Sequence, residues 1–298
     1  MSQQSQDRSR YDRAALRASK AVTHTYSTSF GWAIRLFPQS IREPIYAIYG
    51  FVRVADEMVD TFPAAASVQL LKSMRTEYHQ AVRRGYSENL IVHAFAQTAK
   101  EYDIGSDLVD AFLDSMEMDT ELSVHTNKSY KTYIYGSAEV VGLMCLKIFC
   151  GNNHRQYREL EPGAQALGSA FQKVNFLRDF GSDYRDRGRV YFPGVKYTAF
   201  SNELKRLIEA DILKDFQAAE PAISQLPASA RPSVMVAYCY YFELLKRIQR
   251  NGVAQLKQQR IRISNFHKIF ILLRVWLVHV VLRRPMKIVV GDDLPKAV

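Results

Sequence analysis

Two pairs of aspartates, Asp56/Asp60 and Asp179/Asp183, each stand four residues apart inside an otherwise apolar, helix-patterned stretch. In a helix that spacing puts both carboxylates on one face, one turn apart. Burying such a pair beside Ile48, Phe51, Val54 and Val59 costs on the order of several kcal/mol unless a cation compensates. One DxxxD alone reads as a solvated acidic face. The second copy changes that reading, because Gln172, Asn175, Asp179 and Asp183 follow at offsets of three, four and four and place four oxygen-bearing side chains on a single stripe. A basic residue precedes each acidic pair, Arg53 in one and Arg178 in the other; arginine beside carboxylates makes plain ion pairs and also binds phosphate through its planar fork. Oxygen donors in this number suit a hard divalent cation, and Mg²⁺ is commonly held by one or two carboxylates together with substrate phosphates. Two such stripes facing each other across an apolar chamber would hold metal ions against a diphosphate and let an allylic diphosphate ionise away from water.

The remainder of the chain offers helices to carry those stripes. Only 14 Gly and 10 Pro interrupt 298 residues, and the apolar spacing predicts helices over 11–26, 45–61, 64–84, 89–102, 106–121, 129–149, 156–183, 201–217, 233–251 and 263–284. Pro38 and Pro44 are read as bracketing a turn. Short polar or glycine-containing joints imply antiparallel neighbours. Residues 226–233 are the nearest thing to a linker and read more economically as a helix connection. The expectation is therefore one all-α domain over residues 1–298, a helical bundle around a central cavity, with 1–12 flexible and 285–298 a tail. The 35 aromatic residues suit a cavity lined by rings.

Charge is uneven. Residues 241–298 hold 12 Lys/Arg against Glu243, Asp292 and Asp293, so they carry +9 of the net +10. That basic end surrounds the apolar stretch from Ile269 to Leu282, which Arg274 and His279 interrupt and which is too short to span a bilayer. It is read as a peripheral contact with an anionic membrane, against the plainer reading of a last core helix with a solvated rim. It lacks the compact motifs of nucleic-acid readers, so no nucleic-acid partner is expected. Cys145, Cys150 and Cys239 form neither a disulfide framework nor a zinc pattern, and Met1 to Arg13 contains no apolar leader. A cytoplasmic, reducing setting is expected, with membrane association at the basic end.

Four segments, in order, resemble the squalene/phytoene synthase family of trans head-to-head prenyl synthases: Tyr26 to Phe30, Ile45 to Asp60, Tyr133 to Gly142, and Gln172 to Asp183 continued by Arg187 to Pro193, which reads RGRVYFP. The resemblance runs over roughly residues 15–270 and is most specific in the last segment. It implies an isoprenoid-synthase-type bundle in which Asp56, Asp60, Asp179 and Asp183 bind Mg²⁺, or Mn²⁺ in its place, with Asn175 among the metal ligands and Gln172 close to metal or diphosphate. Ser27, Ser29, Arg53 and Arg178 would hold diphosphate oxygens, and Arg260 and Lys268 match late basic positions that reach the same group. Tyr133 would lie near the reacting carbons, with Tyr241 as a second such residue. Phe30, Ile34 and Phe37, at helical spacing, are candidates for the wall that meets the prenyl chain. Two departures stand out: Thr28 lies between the serines where relatives often carry a basic residue, and Glu139 replaces a glycine.

The implied reaction joins two prenyl diphosphates. One loses pyrophosphate, its cation is captured by the C2–C3 double bond of the other, and proton loss closes a cyclopropane. A second ionisation rearranges the ring to a 1,1′-linked skeleton. The wording of the segments is most like bacterial phytoene synthases, which implies two geranylgeranyl diphosphates and phytoene. The alternative is farnesyl diphosphate, giving dehydrosqualene, or squalene with NADPH as reductant. A different class, a non-catalytic helical protein of the membrane surface, is disfavoured because both acidic pairs are intact. No feature of the sequence sets an oligomeric state.

Overall fold

In the computed structural model, residues 3–278 are described, apart from the side chains of residues 28–30. The expected roles of Ser29 and Phe30, and the tail at 285–298, lie outside those limits. The described chain is all-α. Its helices are α1 (Gln3–Tyr26), α2 (Thr28–Ile34), α3 (Gln39–Thr61), α4 (Ala64–Arg84), α5 (Leu90–Glu101), α6 (Ser106–Glu121), α7 (Asn127–Ile134), a π-helical turn (Tyr135–Glu139), α8 (Val140–Cys150), α9 (His154–Arg187), α10 (Asn202–Gln225), α11 (Arg231–Gln249), α12 (Val253–Gln258) and α13 (Asn265–Trp276). The sole β feature among the described residues is an isolated parallel bridge, Val124 to Val190.

Several boundaries differ from the sequence reading, each for a local reason. Helix α1 begins at Gln3 rather than near residue 11, so residues 3–12, expected to be flexible, are helical. Tyr11 Oη donates to the Ser87 carbonyl at 2.7 Å and Asp12 meets the His93 ring at 2.8 Å, which docks this end on α5. Pro44 does not end a turn but lies inside α3, with Pro38 as the residue before the helix. Proline cannot donate to the carbonyl four residues back, and the hydroxyl of Tyr102 donates to that Ser40 carbonyl instead, at 3.3 Å. Helix α10 continues past residue 217 through Pro221 to Gln225 and α11 begins at Arg231, so residues 226–230 form a tight helix connection, as the sequence reading preferred.

The predicted helix 129–149 is broken by the π turn. Gly136 lies there so close to α6 that a Cβ would stand 2.4 Å from the Ala111 carbonyl oxygen, and widening the helix by one residue accommodates that approach. Asn127 to Cys150 together are long and apolar enough to cross a bilayer, but half of the apolar window is buried inside the fold and α8 packs against α9. This is a core segment.

Two apolar clusters divide the protein. One is built on α3, α4, α5, α6 and α8 around Phe51, Phe95 and Phe112; the other on α9, α10, α11 and the chain after α12 around Leu177, Phe216 and Tyr238. Between them runs a cavity of about 320 Å³ with walls from both clusters, including Ile34, Phe37, Ile48, Leu167, Phe171 and Tyr241. Along α9 its lining extends from Leu160 to Asn175, which is roughly 22 Å of helix. Phe37 and Phe149 stack at 5.4 Å near the Leu160 end.

Candidate active site

At the Asn175 end of the cavity, α3 and α9 present their acidic stripes. On α3, Tyr49, Arg53, Asp56 and Asp60 recur at offsets of four, three and four, so the stripe that holds the acids continues into the cavity wall through Tyr49. On α9 the stripe runs from Gln172 and Asn175, both lining the cavity, to Asp179 and Asp183. The stripes meet. Arg187 reaches Asp60 at 3.0 Å and Asp183 at 3.8 Å, so a single guanidinium spans the last carboxylate of each pair.

What brings Arg187 and its neighbours there is the end of α9. Gly188 takes a left-handed conformation (φ 66°), the Arg189 N–H donates to the Asp183 carbonyl at 3.1 Å, and the chain reverses. This C-terminal closure suits glycine, which adopts positive φ without a Cβ clash. The reversal returns Arg189 to within 3.9 Å of Asp60 and 4.0 Å of Asp119, and its guanidinium also donates to the Asp119 carbonyl at 2.6 Å.

Asp119, from α6, was not foreseen from the sequence and is the hub of this end. The hydroxyl of Tyr133 donates to Oδ2 at 2.7 Å and that of Tyr191 to Oδ1 at 3.3 Å. Tyr191 stacks on Phe176 at 4.1 Å, and Tyr133, Phe176 and His125 pack around it. Tyr133, expected beside the reacting carbons, is thus buried next to the acidic cluster and does not line the cavity. Tyr241 does: it stacks on Phe171 at 3.9 Å and hydrogen-bonds Asn175.

The electrostatics follow from crowding anions in a poorly hydrated place. Burial pushes the carboxyl of Asp56 up to about 6, and Asp60 adds to the rise against Arg53. Burial likewise pushes Asp183 up to about 7, with Asp179 and Asp60 adding and Arg187 and Arg189 opposing. Asp119 is held at about 6, again by burial first. Five arginines offset this charge. Arg53 donates to Asp56 at 2.6 Å, contacts Glu57 and lies over the Tyr26 ring at 4.6 Å. Arg178 and Arg260 grip both oxygens of Asp179, at 2.9 and 2.5 Å and at 2.6 and 3.2 Å. Ser27 reaches the site through its hydrogen bond with Tyr49. Burial lowers the pKa of the Lys268 ammonium, with Arg262 and Arg178 adding to the fall, while its carbonyl accepts from Tyr240 Oη at 2.9 Å.

Two buried polar atoms at this end lack a hydrogen bond: Asn175 Oδ1 and Arg53 Nε. One is an oxygen acceptor without a donor, the other a cationic donor without an acceptor. Among the described residues the acids come as pairs, with no group of three or more His, Cys, Asp or Glu converging on a point. A pair of carboxylates plus an amide oxygen is the donor set Mg²⁺ takes when substrate phosphates complete its shell, so these residues fit a divalent cation accompanied by a diphosphate. Glu139, the departure in the π turn, faces elsewhere: its carboxyl is pushed up to about 7 by burial and by Asp215, against Lys173, in the seam of α9 and α10.

Sequence and structure comparisons give the family and the fold. The squalene/phytoene synthase family model matches residues 23–267. A 4,4′-diapophytoene synthase of Staphylococcus haemolyticus is 29% identical over 196 residues, 65% of this chain and 67% of the relative. Phytoene synthase of Rhodobacter capsulatus is 29% identical over 249 residues (75% and 70%), and 15-cis-phytoene synthase of Synechococcus elongatus 29% over 258 (78% and 83%). In fold, a dehydrosqualene synthase in complex with ligand superposes with a TM-score of 0.77 at 20% identity, covering 89% of this chain and 96% of that one.

Proposed function

The chain belongs to the squalene/phytoene synthase family of prenyl-transferring enzymes, and from that premise we propose that it condenses two geranylgeranyl diphosphates head to head into phytoene through a cyclopropyl diphosphate. The observation that carries the reading is Arg187 bridging Asp60 and Asp183 where two acidic stripes meet at one end of an apolar cavity. A diphosphate held there sends its hydrocarbon tail between the two apolar clusters.

In this reading Asp56, Asp60, Asp179, Asp183 and Asn175 hold Mg²⁺, which when bound supplies positive charge to the departing pyrophosphate. Arg53, Arg178 and Arg260 already lie on the carboxylates and present forked donors to diphosphate oxygens, with Ser27 and Lys268 at the same end. Phe171 and Tyr241 offer π faces to a carbocation. The apolar wall from Ile34 and Ile48 to Phe149 excludes the water that would quench it. Tyr133 keeps its proton on Oη, donated to Asp119 Oδ2 beside the acidic cluster.

Two relatives named phytoene synthase, 29% identical over 249 and 258 residues, support phytoene as the product and geranylgeranyl diphosphate as the substrate. The equal identity of the diapophytoene synthase, 29%, supports farnesyl diphosphate as the second reading. Incubating the protein with Mg²⁺ and each diphosphate, with and without NADPH, and identifying the hydrocarbon decides between them. Phytoene from the C20 substrate alone is the expected result; a C30 product as the main species overturns the substrate assignment, and no hydrocarbon from either overturns the enzyme reading.

A further inference from the structure

Helix α13 buries little of its apolar surface. Ile271 and Val275 face inward, and the helix is tied to α11 by the Tyr240 hydroxyl and by His267, 3.6 Å from Glu243. On its other side Phe266 (83% exposed), Ile269, Phe270 (58%), Leu273 (54%), Trp276 and Leu277 stand in solvent. At 3.6 residues per turn these six positions fall within an arc of about 120°, opposite the two buried residues. Scattered exposed apolar side chains are ordinary, whereas a continuous stripe of six marks a contact surface.

Its surroundings are cationic. Arg262, just before the helix, and Arg274 on it are exposed. Next to its start lies an open depression lined by Arg247, Arg250, Arg260 and Arg262; Arg247 is paired with Glu243 and Arg260 with Asp179, while Arg250 and Arg262 are exposed. Beyond the described residues the sequence adds Arg283, Arg284, Lys287 and Lys296 against Asp292 and Asp293. Apolar stripe and cations side by side are complementary to one kind of surface, acyl chains beneath anionic headgroups. A second copy docking stripe to stripe would bring like-charged arginine clusters together.

We propose that α13 is an interfacial helix, which seats its apolar face in an anionic lipid leaflet while the flanking arginines meet lipid phosphates. One part of the rationale rests on the function proposed above: a product without polar groups needs a lipid phase to leave into, and α13 packs on α11, which supplies Val234, Ala237 and Tyr241 to the cavity wall.

The test needs no substrate, so its failure is separate from failure of the proposed chemistry. The full chain is floated with phosphatidylcholine vesicles, pure or one-third phosphatidylglycerol, at low and high salt. Binding to the anionic vesicles, weakened by salt, is expected. Each negative charge introduced at the surface weakens attraction to an anionic leaflet about fivefold, so Phe266→Glu/Phe270→Glu/Leu273→Glu together reduce binding about a hundredfold, with turnover of detergent-dispersed substrate retained. If that variant does not fold, brominated acyl chains decide the matter in the unaltered sequence: they quench fluorescence, and Trp276→Phe removes the quenching. No flotation at low salt, unchanged binding by the folded triple variant, or a dimer that the substitutions dissociate without any vesicle binding overturns the proposal.

Discussion

Replacing Asp119 with Asn separates stability from catalysis in opposite directions. The carboxyl lies in a side chain only 7% exposed and is pushed up to about 6 from an ordinary 3.8, with burial the largest cause, the nearby Asp56 and Asp60 adding to it, and Arg189 and Tyr133 opposing. A raised acid pKa means the folded protein prefers the protonated form. The penalty for ionisation appears as pH rises through the unfolded value and is complete above the folded one. Two units correspond to about 3 kcal/mol, an upper figure because an Asn amide then faces Arg189. Asn has the size of the protonated acid, and its carbonyl still accepts from Tyr133. In chelator at pH 8 the variant should therefore be more stable than the parent by about 1–3 kcal/mol, which for a chain of this size is a rise of several degrees in Tm. At pH 4 the difference should vanish. Turnover should fall at least about tenfold, since the Tyr133 hydroxyl exchanges a charged acceptor for a neutral one of roughly half the strength. Thermal melts at the two pH values with steady-state kinetics check this. A variant less stable than the parent at pH 8, or a stability difference independent of pH, refutes the reasoning.

Asp56→Asn and Asp179→Asn keep size and lose charge, so each should abolish measurable turnover while leaving far-UV circular dichroism unchanged; full activity in either removes the metal assignment. At Gly181, between the two aspartates of the second pair, a Cβ would stand 2.5 Å from the Lys257 carbonyl oxygen and 2.7 Å from that of Leu256. Gly181→Ala should push α12 outward, destabilise by about 1–3 kcal/mol and raise KM by moving Arg260 off Asp179, as urea melts and substrate titration would report. Phe149→Ala removes one ring of the stacked pair at the far end of the cavity. In competition between C20 and longer prenyl diphosphates it should shift use towards the longer, and an unchanged ratio counts against that end as the limit on chain length.

The acidic pairs were legible because a carboxylate inside an apolar helix breaks the pattern of its own neighbours, twice, at the same spacing. The helices that carry them were legible for the same reason that makes them helices, an apolar period with few breakers. Asp119 left no such mark. It continues the buried face of α6 after Leu108, Phe112 and Met116, but a single acid near the end of an amphipathic helix looks like any solvated one until Tyr133, Tyr191 and Arg189 arrive from elsewhere in the chain. Arg187 and Arg189 were visible within RGRVYFP, yet their part depends on the left-handed turn at Gly188. The π turn and the helical Pro44 were illegible because each is decided by a tertiary partner, the Ala111 carbonyl in one case and the Tyr102 hydroxyl in the other.

That same mutual satisfaction sets how the site fills. Asp56, Asp60, Asp119 and Asp179 each lie within 4.0 Å of at least one arginine, and Asp183 shares Arg187 with Asp60. A diphosphate arriving alone must compete with carboxylates for the guanidinium forks, and a divalent cation arriving alone must compete with guanidinium for the carboxylates. Arriving together, each takes the groups the other releases, so the two should bind with positive coupling, and linkage requires the same factor in both directions. A gain of at least about tenfold is expected, since freeing a single charge-assisted hydrogen bond is worth roughly 1.5–3 kcal/mol. Calorimetry of Mg²⁺ with and without pyrophosphate, and the reverse titration, measures it; equal affinities in both settings would mean that these arginines do not exchange partners. Arg187→Gln should shrink the coupling while tightening Mg²⁺ in the absence of pyrophosphate, because the cation it competes with is gone and two carboxylates are left facing each other.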